Sequence, residues 1–448
     1  MTITIPAYVR RILDILDEGQ YEAYVVGGCV RDSLLGRVPD DWDVTTSALP
    51  EETRRLFSQG GFRLFETGLK HGTLTVLSED KPVEITTFRV DGGYSDNRHP
   101  DEVRFTHSLA EDLCRRDFTI NAMAYHPDKG LQDLYSGRTD LLQGILRCVG
   151  VPDVRFHEDA LRILRALRFS AVLGFSLEEQ TEEALRRSRE LLKQIAAERL
   201  CSELLRLLCG KDVLRVLLSY PEVLAEVIPE LAAMVGFQQH NAYHAYDVYE
   251  HTARCVAAAP AQPVVRLTVL LHDIGKPSCF TQDAEGVGHF YGHQAAGAAM
   301  VRTILTRLRL PTRTVEAVER LVTYHDIQIE PRENVIRRWL NRLGEEEFRW
   351  LLEVKKADIC GQNPALRSRV AEIDRLSRLT DKIVAEGQCF SLKDLQVNGH
   401  DLMALGLYPG KKLGDLLQAL LEQVLEGRCP NEREALLAQA RALLQKGV

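Results

Sequence analysis

The sequence predicts an α+β head built on a mixed sheet with helices, followed by a mainly α-helical remainder. Three observations carry this. Between residues 21 and about 130, short strand-like runs alternate with Gly, Asp and Asn turns. From about residue 155 onward the apolar period changes to 3.6, in long Leu/Ala/Arg/Glu segments. The chain has 448 residues, 45% of them hydrophobic, which is more than one domain needs and ample for several cores.

In chain order, residues 5–20 read as a short amphipathic helix. Strands are expected at 23–26, 73–77, 83–88 and 102–105, and residues 91–101 have the composition of a mobile loop. The later helices are expected to break around 210–215, 259–263, 281–292 and 361–365. This suggests four units: a head at 1–150, a helical neck at 151–225, a His-rich helical middle at 226–375 and a helical tail at 376–448. The net charge of −8 gives no global basic field, so any RNA contact has to come from local arginine clusters. The ten cysteines form no C-x-x-C pair, which argues against a zinc ribbon or a disulfide framework. With no leader-like N-terminus and no apolar run long enough for a membrane span, the expectation is a reduced, cytoplasmic protein.

The densest chemical signal is Val25-Val26-Gly27-Gly28-Cys29-Val30-Arg31-Asp32, followed by Asp41-Trp42-Asp43-Val44. On an extended strand, residues i and i+2 share a face, so Asp41 and Asp43 project together while Trp42 and Val44 pack the other way. Paired carboxylates of this kind suit Mg²⁺ that also holds substrate phosphates. The glycines let backbone N–H groups approach a triphosphate, and Arg31 is placed to supply a fork donor. Together these blocks resemble the nucleotidyltransferase superfamily, in particular the class II CCA-adding enzymes and their relatives, the bacterial poly(A) polymerases. The resemblance implies a nucleotidyltransferase head in which Asp41 and Asp43 bind Mg²⁺ and Gly28 and Arg31 contact the nucleotide. Glu84, on a strand, is either a third metal carboxylate or an edge-strand glutamate.

Two further blocks carry the resemblance. Glu111-Asp112-Leu113-Cys114-Arg115-Arg116-Asp117-Phe118-Thr119-Ile120-Asn121 matches the family's second block and implies that Asp112, Arg115, Asp117 and Asn121 contact sugar and phosphates. Glu158-Asp159-Ala160-Leu161-Arg162-Ile163-Leu164-Arg165-Ala166-Leu167-Arg168 matches the third, with Arg165 and Arg168 placed toward nucleotide or tRNA. Asp159 and Arg162 are three apart, and on one helix they would share a face. Cytosine and adenine both offer an amino donor beside a ring-nitrogen acceptor. An Asp acceptor beside an Arg donor matches both and leaves guanine and uracil mispaired, at about 1–3 kcal/mol per unpaired group. Glu198-Arg199-Leu200-Cys201-Ser202-Glu203 resembles the family's neck motif, a brace for the helix carrying Asp159. Gly68-Leu69-Lys70-His71-Gly72-Thr73, Glu84 to Asp91 and Tyr94-x-Asp96-x-Arg98 look like the CCA-adding pattern with a full-length flexible loop.

In the middle unit, His251, His272-Asp273 (in His-Asp-Ile-Gly-Lys) and Asp358 resemble the HD phosphohydrolase superfamily. That resemblance implies a divalent metal such as Mn²⁺, Co²⁺ or Ni²⁺ that activates water, with His293 and His325 where some relatives hold a second metal. In the tail, Gly410-Lys411-Lys412 is either a phosphate contact or a plain turn, in a region that resembles the family's tRNA-elbow grip. The overall expectation is addition of CCA to tRNA 3′ ends from CTP and ATP, with no membrane partner. The alternatives are an A-adding specialist, a poly(A) polymerase, or a regulator that binds RNA or nucleotide without catalysis.

Overall fold

The computed structural model describes residues 2–69, 72–92 and 103–445. Lys70, His71 and the Tyr94, Asp96 and Arg98 pattern lie outside the described residues. The chain divides into two compact units, Met1–Pro229 and Glu230–Val448.

The first unit opens with the helix Ala7–Glu18, which buries Val9, Ile12, Leu13 and Leu16, the stripe of a one-sided amphipathic helix. The strands are β1 (Ala23–Val26), β2 (Asp43–Thr46), β3 (Arg63–Gly68), β4 (Thr73–Ser78), β5 (Lys81–Thr87), β6 (Arg89–Asp91), β7 (Val103–Phe105), β8 (Ala124–His126) and β9 (Gly130–Gln132). Seven form one sheet in the order β3-β4-β5-β2-β1-β8-β9, while β6 and β7 pair separately. Within this seven-stranded sheet, among the described residues, only the β2–β5 pairing is parallel, and it sets Asp43 directly beside Glu84; a separate two-stranded pair, Ile145–Leu146 with Ser176–Leu177, is also parallel. The expected strands at 23–26, 73–77, 83–88 and 102–105 appear as β1, β4, β5 and β7. β3 and the short hairpin β8–β9 were not anticipated: β3 is mostly polar and leaves Phe65 exposed, and β8 and β9 have three residues each. β1 lies in the middle of the sheet, and all four of its residues are buried.

Helices complete this unit. The expectation that Asp159 and Arg162 lie on one helix does not hold. One helix ends at Glu158 and the next starts at Leu161, with Asp159 extended at φ −139° and ψ 100°. Asp159 caps the second helix: Oδ1 accepts from Leu161 N (3.1 Å) and its carbonyl accepts from Arg162 N (3.0 Å). Such local side-chain bonds compete with a continuous helix.

The second unit is helical apart from a hairpin of Thr281–Gln282 with Gly288–His289. Val248–Ala258, Pro263–Leu271, His293–Arg307, Thr312–Tyr324 and Glu333–Gly361 surround a shared interior. Breaks fall at the expected 259–263, 281–292 and 361–365; within Glu333–Gly361, Gly344 interrupts the helical backbone at φ 75°. Trp339, Phe348, Leu351 and Ile383 anchor one core, and Leu402, Leu420 and Leu436 a second toward the C-terminus.

Candidate active sites

The glycine pair follows β1 and opens the helix Gly28–Leu34. Gly27 sits at φ 80°, where a side chain would be strained, and its Cα hydrogen faces Arg116 Nη1. The acidic pair stands at the start of β2: Asp43 is its first residue and Asp41 lies two positions before it. Trp42 and Val44 are buried and Asp41 is exposed, so the alternation places the two carboxylates on the open side. Burial, then the negative charges of Asp41 and Glu84, push the Asp43 carboxyl up to about 6, with Arg116 opposing. Glu84 sits on β5, which is flanked by β4 and β2, so it is not an edge-strand residue. With Asp41 and Glu84 raising the proton affinity of Asp43, the three carboxylates form a hard oxygen donor set short of positive charge, which fits a divalent cation.

The second block forms a charged lattice behind this pair. Asp112 is fully buried; Arg115 Nη2 donates to it at 2.8 Å, Arg116 Nη2 at 3.3 Å and Thr45 Oγ1 at 3.1 Å. Burial opposes its charge, but the two arginines hold its carboxyl below the usual range. The expectation that Asp112 touches the nucleotide is therefore corrected: with no exposed surface, it orients Arg115 and Arg116. Arg116, whose positive charge bears on Asp43, is a residue that the sequence analysis quoted in its block without giving it a role. Asp117 is also buried; it accepts from Asn121 Nδ2 at 3.0 Å and from Arg165 Nη2 at 2.5 Å, and these partners hold it far below its ordinary range against the cost of burial. Asn121 Oδ1 in turn accepts from Arg31 Nη1 at 2.7 Å, while the other edge of Arg31 forks onto Asp32 at 2.8–2.9 Å.

The third block meets the same lattice. Arg162 Nη1 donates to Glu158 (2.7 Å) and to the carbonyl of Arg155 (3.1 Å), and Nη2 to the carbonyl of Arg115 (2.9 Å). Arg199 pairs with Asp159 at 2.9 Å. Arg168 lies over the Phe169 ring at 3.9 Å and pairs with Glu203 at 2.7 Å, and burial pulls its pKa down to about 10. The buried arginine lattice and the Asp159–Arg162 elbow are thus joined through Arg162 and the carbonyl of Arg115, while Arg116 bears on Asp43 by its charge alone.

In the second unit, His251, His272, Asp273, His293, His325 and Asp358 converge from five helices or helix ends. His272, His293 and His325 each direct Nδ1 at the carbonyl three residues back, at 2.7–2.8 Å. A carbonyl accepts only an N–H, so in the neutral ring the lone pair of each is on Nε2, the nitrogen that faces the cluster. His251 Nε2 and His272 Nε2 are 3.4 Å apart, and His293 Nε2 and His325 Nε2 are also 3.4 Å apart. Asp273 lies between the pairs: Oδ2 is 3.3 and 3.2 Å from the first two nitrogens, and Oδ1 is 3.6 and 3.8 Å from the last two. Asp358 Oδ1 closes the first group at 3.1 Å from His251. Asp273 Oδ2 is buried without a hydrogen bond of good geometry.

Two carboxylates among four imidazoles, Asp273 buried and Asp358 partly so, demand cationic charge. Burial disfavours every ion there, yet the mutual attraction holds Asp273 and Asp358 well below the usual carboxylate range and lifts His272 to about 10. Protons stand in for the cations that this donor set suits, two positions sharing Asp273. His325 is pushed down to about 3 by burial and then by His272, and so stays a neutral donor. Cys255, although close, is packed against the imidazole: its Sγ is nearly equidistant from both His251 ring nitrogens, at 3.5 and 3.7 Å, and so lies off the lone-pair direction of either. Lys276, the last residue of the His-Asp-Ile-Gly-Lys signature, and His244, which the sequence analysis did not single out, line the same cleft; Lys276 Nζ lies 2.7 Å from Asp273.

Three family models match the chain: the poly A polymerase head domain over residues 23–147, an RNA- and SrmB-binding site of polymerase A over 174–234, and tRNA nucleotidyltransferase domain 2 over 293–440. A CCA-adding enzyme of Lactiplantibacillus plantarum is 34% identical, covering 96% of this chain and 95% of its own. One from Lactobacillus delbrueckii subsp. bulgaricus is 35% identical, covering 95% of each. The chain belongs to the CCA-adding enzyme family. Among solved structures, the Bacillus stearothermophilus CCA-adding enzyme in complex with CTP aligns over 99% of both chains at 29% identity and a TM-score of 0.70. The Thermotoga maritima CCA-adding enzyme complexed with tRNA shares the fold at 20% identity, covering 98% of this chain and 96% of that one with a TM-score of 0.60. Membership of the CCA-adding family assigns the head its nucleotidyltransferase chemistry. Among the described residues, no helix is long and apolar enough to cross a membrane.

Proposed function

We propose that this chain completes tRNA 3′ ends with CCA, using CTP and ATP in turn and releasing pyrophosphate. The observation that supports the reading is the acidic trio of Asp41, Asp43 and Glu84, with the charge of Arg116 bearing on Asp43 and the Arg115 carbonyl holding Arg162. An acidic metal-type donor set together with an acceptor and a donor suited to cytosine and adenine supports nucleotide addition from CTP and ATP. Asp41 and Asp43, with Glu84 beside them, would hold Mg²⁺, which when bound neutralises the triphosphate and favours ionisation of the attacking 3′-hydroxyl. Asp159 accepts a hydrogen bond from the base amino group, and Arg162 donates to the ring nitrogen. The fixed orientation of both side chains replaces a nucleic-acid template. Arg31 and Arg165 are oriented by Asn121 and Asp117 toward the nucleotide phosphates. The hydroxyl oxygen of the tRNA end bonds to the α-phosphorus as the bond to pyrophosphate breaks.

Transcripts ending at the discriminator base, at C and at CC test this, each with labelled CTP, ATP, GTP or UTP and Mg²⁺. Growth of the bare end to CCA and then arrest is the expected outcome. Addition of A to the CC end alone would make the enzyme an A-adding specialist, and long A tails on many RNAs would make it a poly(A) polymerase.

A second reading is favoured by the inward-facing Nε2 atoms around Asp273. We infer that this cluster is a metal-dependent phosphohydrolase centre of the HD type, with His251, His272, Asp273 and Asp358 at one metal position and Asp273, His293 and His325 at the other. Hydrolysis of a chromogenic phosphodiester with Mn²⁺, Co²⁺ or Ni²⁺ should vanish in His272→Ala/Asp273→Ala. Equal rates in both proteins would overturn it.

A further inference from the structure

Phe169 lies on the helix Leu161–Leu173 with only 5% of its surface exposed. Three guanidinium groups come to its ring. The Cζ of Arg168 lies 3.9 Å from the ring centroid, that of Arg31 5.1 Å and that of Arg165 5.5 Å. All three are within the reach of a cation–π attraction, about 6 Å. Phe118 meets the same ring in a T-shaped contact, at 5.8 Å and 81°, and so helps to fix its plane. Each guanidinium also has a carboxylate, but a different one: Arg31 pairs with Asp32, Arg165 with Asp117 and Arg168 with Glu203. These anchors stand on separate elements: the helix Gly28–Leu34, the segment after the helix Leu109–Cys114, and the helix Ala197–Leu208. The ion pairs therefore set each arginine separately, and the ring sets them relative to one another. Holding like charges together has a cost: burial pulls the pKa of Arg168 down to about 10, Glu203 opposes and Arg165 adds to the fall. Cations kept together in this way suit an anion.

We propose that Phe169 is a positioning residue for nucleotide addition: its ring sets Arg31 against Arg165 and Arg168, so that the guanidinium groups meet the triphosphate of the incoming nucleotide as one preformed cradle. This rests on the reading that Arg31 and Arg165 face the nucleotide phosphates, and not on which nucleotides are added. The covered ring does not touch the nucleotide; it acts through the arginines. A carboxylate in its place would take up N–H donors and cancel charge. A ring face holds a guanidinium without doing either, and so leaves donors for phosphate oxygens. Arg168 is nearest the ring and has 13% of its side chain exposed against 31% for Arg165, so it buttresses from within while Arg165 and Arg31 supply the N–H groups. The phosphates are common to CTP and ATP. The cradle thus serves both and leaves the choice of base to Asp159 and Arg162.

The test uses the full-length protein with Phe169 replaced in turn by 4-fluoro-, 3,5-difluoro- and 3,4,5-trifluorophenylalanine. Each fluorine drains negative potential from the ring face while the shape is nearly kept, so packing is held constant; equal melting temperatures check this. Dissociation constants with Mg²⁺ are measured for labelled CTP and, by its displacement, for ATP, UTP and inorganic tripolyphosphate. Binding of CTP, ATP and tripolyphosphate should weaken in step with fluorination, by about fivefold for the trifluoro ring, while the preference for CTP over UTP holds. Phe169→Met, which keeps apolar bulk without a ring face, should weaken binding as the trifluoro ring does. In an Arg31→Met background the gradient should shrink by about half, since one of the cations that reads the ring is gone. A flat series at unchanged melting temperature makes the ring packing alone and overturns the proposal. A gradient for the nucleotides without one for tripolyphosphate places its effect on base or sugar and overturns the cradle. Transcript assays that show A addition alone, or long A tails, change the reading of the product and leave the gradient standing.

Discussion

Arg199 holds the carboxylate of Asp159 through both terminal nitrogens, Nη2 to Oδ2 at 2.9 Å and Nη1 to Oδ1 at 3.4 Å. The elbow that carries Asp159 is extended backbone, so no helical repeat fixes the side chain, and the guanidinium fork does so instead. Lysine keeps the charge and loses the fork. Arg199→Lys should therefore lower discrimination between CTP and UTP about tenfold, with a smaller fall in total incorporation. Single-nucleotide addition with each of the four triphosphates measures this. A uniform loss with all four would make the ion pair only a brace.

The crowding of Asp41, Asp43 and Glu84 stores repulsion in the metal-free protein. Asp43→Asn removes one of the three charges, together with the metal ligand. Nucleotide addition should fall by at least about a thousandfold, while thermal stability without metal holds steady or rises by about 1 kcal/mol. Addition of Mg²⁺ should raise the melting temperature of the head in the native protein and not in the variant.

Asp117 gives an acid-side signature. Its folded-state pKa lies below that of the unfolded chain, about 3.9, because Arg165 and Asn121 outweigh burial. A depressed carboxylate contributes stability that is complete above the unfolded pKa and is lost as pH falls through the folded value. Asp117→Asn should thus be destabilised by about 3 kcal/mol at neutral pH, the cost of leaving Arg165 without its buried partner. The gap to the native protein should be constant down to about pH 5 and should narrow below about pH 4. Urea denaturation of both proteins across that range decides it. A gap that widens in acid would contradict the ion-pair account.

What the sequence made legible follows from where local chemistry decides structure. The Asp41-Trp42-Asp43-Val44 alternation foretold which side chains are buried, because period-two burial is a property of any strand. Register was not legible: that Glu84 would lie directly beside Asp43 depends on a parallel pairing between strands about forty residues apart. Asp112 and Arg199 show a second limit. The family block draws attention to Asp112, yet only three-dimensional burial reveals that it acts through Arg115 and Arg116. The neck motif pointed residues 198–203 at the segment carrying Asp159, but that Arg199 grips the Asp159 carboxylate itself is visible only in the three-dimensional pairing. The kink at Asp159 was in principle readable, since an Asp followed by a helix is a capping signal, but the strong Leu/Arg periodicity that follows it drew Asp159 into the same helix.

The His-Asp-x-Gly spacing has a steric reason that yields the last prediction. A Cβ on Gly275 would run into the carbonyl of His293 and the backbone nitrogen of Gly297. Gly275 thus lets the turn after His272 and Asp273 lie directly against the helix His293–Arg307, and only at that approach do the carboxylate and His293 come within reach of one cation. Gly275→Ala must push the two backbones apart, since neither atom it meets belongs to a flexible side chain. A shift of about 1 Å is enough to spoil metal geometry, for which ligand distances tolerate about 0.2 Å. Inductively coupled plasma analysis after Mn²⁺ loading should show the variant losing most of its bound metal in the second unit, with nucleotide addition by the first unit retained. Full metal occupancy in Gly275→Ala would show that the close approach is packing alone and that Asp273 does not serve both metal positions.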